Sequence, residues 1–133
     1  MRKLFRNKLA LNTWHLLLFA TISILCSGCS LAPVIGGPVN QEKLVDGSYE
    51  GSYEAGPNRA VVKVTIKDNK IVNIQILKHR AWKGKKAEFV IPGMIIEKQS
   101  TEVDAVSGAT YSSRVIMNAV QMAIEKAYQK GGW

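Results

Sequence analysis

A chain of 133 residues has room for one domain with a single modest core. Its 18 basic and 10 acidic residues give +8, but Arg2, Lys3, Arg6 and Lys8 precede an apolar N-terminal run; without them 14 basic residues face 10 acidic ones, a net of +4. That mild excess, with Lys83, Lys85 and Lys86 in one short run free of interleaved aromatics, argues against nucleic acid and is compatible with anionic lipid.

The basic start, the apolar stretch Leu16 to Cys26 (LLLFATISILC) and the small residues after it describe an export signal. An N-terminal anchor that is never cleaved is the other reading of the same run. CSGCS, with Ser27 and Gly28 directly before Cys29, resembles the lipobox of bacterial lipoproteins. Cys26 stands at the third position before Cys29, where Leu is usual. The resemblance implies a signal peptide over 1–28 and a lipid on Cys29, which would become the first residue; a plain exported protein is the alternative. Both cysteines, Cys26 and Cys29, belong to this region. The domain beyond has no disulfide, thiol chemistry or Cys-based metal site.

Ser30 to Lys43 (SLAPVIGGPVNQEK) has prolines at 33 and 38, a Gly pair and no apolar period, so 29–45 is expected to be the lipid anchor and a flexible tether. The folded domain is expected over 46–133. In DGSYEGSYEAG, Tyr49 and Tyr53 share one face of a strand and Gly47 and Gly51 have the same parity. Glycine inside a strand points to a bulge or to the close approach of another group.

AVVKVTIKDNKIVNIQIL is a hairpin, with Val62, Val64 and Ile66 alternating with polar residues on one strand and Val72, Ile74 and Ile76 on the next. A two-residue turn at Asp68-Asn69 sets Val64 opposite Asn73. A three-residue loop, Lys67 to Asn69, sets Val64 opposite Val72 and Val62 opposite Ile74. The second keeps one face dry and is the expected register.

Further on, Pro92 is suited to open a short helix with Ile95 and Ile96 turned inward. TEVDAV has the pattern of a short strand, with Val103 on one side and Asp104 and Val106 on the other. The last element is a long helix: Ile116, Ala119, Val120, Ala123, Ile124 and Ala127 make one stripe, Ser112 or Ser113 can cap its start, and Gly131-Gly132 end it. Strands first and a long helix last predict an α+β domain, a small antiparallel sheet covered by helices.

DAVSGATYSS, Asp104 to Ser113, crowds hydroxyls around one Gly-Ala step at the start of that helix. The first amides of a helix lack internal partners and its dipole is positive there, which favours an anion, phosphate above all. Gly108 and Ala109 are small enough to let a ligand or an enzyme reach the backbone. An ordinary capping loop is the competing reading. The Walker pattern, the Ser hydrolase elbow and the nicotinamide fingerprint all lack required residues, and a lone domain histidine, His79, does not make a metal site.

DAVSGAT, Asp104 to Thr110, resembles the flavin-attachment signature Asp-x-x-Ser/Thr-Gly-Ala-Thr of the FMN-binding domain family. That family includes covalent-flavin subunits of the Na+-pumping NADH:quinone reductase and of Rnf complexes. The likeness extends over about 46–127. It implies FMN joined through its phosphate to the Thr110 oxygen by a flavin transferase that uses FAD and Mg2+. Asp104, Ser107, Gly108 and Ala109 would present the acceptor, and Tyr111, next to it, would be cofactor-binding. Tyr49, Tyr53, Trp82 and Met94 are further candidates to lie on the flavin ring, with His79 or Lys83 at its polar edge.

The resulting expectation is an extracytoplasmic, lipid-anchored electron carrier that needs separate redox donor and acceptor proteins at the membrane. Two alternatives stand beside it. One is an accessory flavin domain of an extracytoplasmic reductase; the other is a non-redox lipoprotein that binds a free phosphate ligand.

Overall fold

The structure is a computed structural model that describes residues 31–131; the expected export signal and Cys29 lie outside the described residues. From Ala32 onward the described residues form one compact unit. Three strands, β1 (Gly47–Ala55), β2 (Asn58–Lys67) and β3 (Lys70–Arg80), form an antiparallel meander in that order. Two helices, α1 (Lys85–Lys98) and α2 (Thr110–Lys130), cover one face. The α+β architecture with a long last helix is the one its sequence predicts.

Alternation explains the sheet. Ala60, Val62, Val64 and Ile66 of β2 point inward and are buried, as are Ile71 and Ile74 of β3. The stripe on α2, Ile116, Ala119, Val120, Ala123, Ile124 and Ala127, is wholly buried against them. Gly51 lies where α2 crosses β1. A Cβ there would run into the Ala119 carbonyl oxygen and the Ala123 amide, so only glycine allows the helix backbone this close. Tyr49 and Tyr53 share the inner face, as their spacing predicts.

The β2–β3 register differs from the expected one. The turn is the two-residue Asp68-Asn69 pair, with φ of 52° and 59°, and its two amides donate to the Asp46 carboxylate at 3.1 and 3.2 Å. Val64 faces Ile74 and Val62 faces Ile76, because the ladder slips between Thr65 and Ile66. Val72 is the extra residue at that slip and is 47% exposed. A bulge restores the dry face that a longer loop was expected to provide. A second slip, between Val61 and Val62, turns Leu77 outward.

α1 begins seven residues ahead of Pro92, at Lys85, and Pro92 lies inside it. Proline interrupts one turn by removing an amide. Burial of Ala87, Ile91 and Ile95 on the sheet side holds the helix together across it. Ile95 is turned inward as expected, and Ile96 is half-buried. The segment 101–106 is irregular and not the expected strand: Val103 is buried, but its backbone joins no ladder. Gln99, left-handed at φ 48°, closes α1 and turns its side-chain amide onto the edge of β3. It accepts from the Ile71 amide and donates to the Ile71 carbonyl, each at 2.9 Å.

The expected flexible tether is a strap over 32–45. Arg114 donates to the Ala32 carbonyl at 3.1 Å, and Asn118, fully buried, donates to the Pro33 carbonyl and accepts from the Ile35 amide. Thr101 accepts from Gly37 N–H at 3.0 Å, Pro38 makes an isolated bridge to Ser100, and Tyr128 accepts from the Asn40 amide at 2.9 Å. Proline and glycine did rule out a regular strand, but side chains of α2 and the 100–101 segment supply the partners a strand would have given.

Candidate functional site

The signature loop is a tight turn fixed by one buried hydroxyl. Ala109 N–H donates to the Val106 carbonyl at 2.9 Å, closing a four-residue turn whose third position, Gly108, has φ 76°. Ser113 Oγ accepts from the Val106 amide at 3.0 Å and donates to the Ala109 carbonyl at 2.8 Å. Neither Ser112 nor Ser113 caps α2: the helix starts at Thr110 from Ala109, with no side-chain cap. Ser113 instead holds the turn from inside the first helical turn.

This leaves the helix start open. Among the described residues the amides of Thr110, Tyr111 and Ser112 have no backbone acceptor, and the first turn contains no acidic residue. Those amides and the helix dipole give an electropositive mouth with nothing local to neutralise it. Thr110 is half-buried, while Ser107 and Gly108 are exposed. Apart from its chain neighbours, no described residue has an atom within 4 Å of where a Gly108 side chain would begin, so that flank is open to a large group. Ala109 behaves differently: it is buried in the core cluster. Asp104 is 88% exposed on its side chain and pairs with Lys98 at 3.5 Å.

Two other segments converge on this helix end. A Cβ on Gly84, in the loop before α1, would collide with Ser112 and lie 3.7 Å from Ala109. A Cβ on Gly56, in the β1–β2 turn, would lie 3.1 Å from the Tyr111 hydroxyl. Asn58, buried at the start of β2, donates to Ser112 Oγ at 3.5 Å. The signature loop, the β1–β2 turn and the β3–α1 loop therefore meet at Thr110–Ser112. No sequence pattern announced the roles of Asn58, Gly84 or Ser113, because each depends on a contact distant in sequence or on a helix start a few residues earlier.

The ring-contact candidates separate. Tyr111 and the exposed Trp82, two residues before Gly84, lie at this end, with Lys83 beside Trp82. Tyr49 does not: it is buried, donates to the Val45 carbonyl at 3.0 Å, and sits under Lys130 at the far end of α2. Tyr53 and Met94 pack against the core cluster. His79 is only 2% exposed on its side chain and is bound through Nδ1 to Glu88 at 2.7 Å; its Nε2 is buried with no partner among the described residues. It is closed to a flavin edge.

Residues 58–125 match the family model of the FMN-binding domain, a span that contains the whole signature. The chain belongs to the FMN-binding domain family. The family is defined by binding FMN, and FMN is accordingly the cofactor. The open helix mouth suits the phosphate of such a cofactor. A stretch of 87 residues is also 30% identical to an uncharacterized protein of Treponema pallidum (strain Nichols), covering 63% of this chain and 24% of that protein. The chain thus spans about a quarter of that relative's length.

Proposed function

We propose that this chain is an exported, lipid-anchored electron carrier whose single FMN is joined through its phosphate to Thr110 Oγ1. The observation that carries this reading is the position of Thr110. It is the last residue of the family's attachment signature, half-open to solvent, and the first residue of a helix whose leading amides find no backbone acceptor among the described residues. A separate flavin transferase supplies the group from FAD. The Thr110 oxygen forms a bond to the flavin-side phosphorus, the pyrophosphate bond breaks, AMP leaves, and the hydroxyl proton passes to a base on the transferase.

Each signature residue has a part in that exchange. Exposed Asp104 and Ser107 present the acceptor to the transferase, and Gly108 leaves its flank clear. Ser113 holds the turn so that Thr110 stays at the helix mouth. After attachment the amides of Thr110, Tyr111 and Ser112 hold the phosphate, with Tyr111 at hand for the ring. FMN exchanges one or two electrons, which allows a carrier to link unlike donor and acceptor proteins. A lipid on Cys29 keeps the domain at the outer side of the bacterial cell membrane. That the Treponema pallidum relative is a longer chain is the observation behind a second reading, in which a domain of this kind serves as an accessory part of a larger protein.

The test is production with the transferase, followed by a denaturing gel and an intact-mass measurement. The band fluoresces as flavin and the mass carries one FMN increment; Thr110→Ala loses both and keeps its circular dichroism spectrum. A dark band with no increment in the parent protein overturns the linkage. Palmitate labelling that persists in Cys29→Ala overturns the anchor.

A further inference from the structure

α1 has one buried side and one bare side. Phe89 is 82% exposed, Val90 stands beside it at 43%, and Trp82, in the loop leading into the helix, is 91% exposed. Nothing among the described residues covers them. Lys83, Lys85 and Lys86, all cationic, occupy the same stretch. Of the two acids on α1, Glu88 is bound to buried His79, and Glu97 lies two turns beyond Phe89 toward the other end of the helix. No described helix is long and apolar enough to cross a membrane.

The geometry points to a docking surface for an anionic bilayer: Phe89, Val90 and Trp82 enter the headgroup region while Lys83, Lys85 and Lys86 meet acidic headgroups. Apolar side chains backed by lysines, with a tryptophan at the boundary, are the chemistry of a segment that lies on a membrane without spanning it. Lysine can extend its ammonium toward headgroups while its stem lies along the apolar side chains.

The path of the chain favours lipid as the occupant. Ala32, the first residue of the strap, is held by Arg114, and Gly84 lies on Ala109 and Ser112. The N-terminal chain and the Trp82 loop thus reach the same first turns of α2. If the carrier reading holds, this face also brings the Thr110 end to the membrane surface, where electron exchange with a membrane-held partner takes place. The path of the chain bears on lipid through the anchor of that reading, whereas the bare apolar side chains and the lysine run carry the docking surface without it.

The experiment uses residues 30–133, which contain the compact unit with its own core and lack both the apolar N-terminal run and Cys29. It is made without transferase, so the fate of the flavin linkage cannot affect the result. With Trp133→Phe, Trp82 becomes the only tryptophan of the fragment. Vesicles of phosphatidylcholine with phosphatidylglycerol should carry the fragment down on centrifugation and shift Trp82 emission to the blue. Added salt should weaken both effects. Phe89→Ser/Val90→Ser should bind at least about tenfold more weakly with an unchanged circular dichroism spectrum. The proposal is overturned by no binding to anionic vesicles, or by equal binding of the double variant. A concentration-dependent dimer abolished by the double variant, without vesicle binding, would overturn it in favour of a second copy of this chain.

Discussion

The two helices are both rich in apolar residues, yet one is enclosed and the other is not. α2 presses its stripe on β1 and β2, and its outer flank carries Arg114, Asn118 and Tyr128, each bonded to the strap. α1 presses Ala87, Ile91 and Ile95 inward and leaves Phe89 and Val90 bare. Polar side chains that meet a passing backbone mark an outer flank that the fold has closed. Large apolar side chains that no described residue covers are what the proposed docking surface would use.

The sharpest way to break the enclosed region is at its narrowest point. Gly51→Val puts a branched side chain into the Ala119 carbonyl and the Ala123 amide, which are backbone atoms and cannot turn aside. The expected loss is about 3 kcal/mol or more, read as a lower urea midpoint. Ser52→Val, one residue on and facing solvent, should stay within about 0.5 kcal/mol. Equal losses at both positions would refute the close approach of α2 to β1.

A milder perturbation separates the strap from the rest. Asn118→Ala removes the donor to the Pro33 carbonyl, at 2.7 Å, and the acceptor of the Ile35 amide, at 3.1 Å. It should cost about 2 kcal/mol. Hydrogen exchange should speed up at Ile35 and Gly37 while amides of the β2 core keep their protection. If exchange at Ile35 is fast already in the parent protein, the strap is a tether after all.

These positions also show what was legible in sequence and what was not. Period-two and helical patterns are local, so the three strands, the α2 stripe and the shared face of Tyr49 and Tyr53 could all be read directly. The hairpin register could not. Parity correctly required a dry face, but a bulge at Val72 satisfies that requirement as well as a longer turn does, and no residue there distinguishes them. The strap was hidden for a different reason: its hydrogen-bond partners, Gln99, Thr101, Arg114, Asn118 and Tyr128, are sixty or more residues away in sequence. Thr110 stood out because the signature is contiguous. The segments that meet it, at Gly56, Asn58 and Gly84, are brought together only by the folded sheet.

The smallest expected effect lies on the open helix. Phe89→Ser removes a large aromatic side chain, a change that costs several kcal/mol where the ring is buried. At 82% exposure the ring has little native packing to lose, so the urea midpoint should move by no more than about 0.5 kcal/mol in either direction. The reversal between readouts is the point of the comparison. A substitution nearly silent in stability should weaken vesicle binding, whereas Asn118→Ala should lower stability and leave vesicle binding by the folded fragment unchanged. A Phe89→Ser variant that unfolds as readily as Gly51→Val would mean that the outer side of α1 is enclosed like that of α2, and the contrast between the helices would be lost.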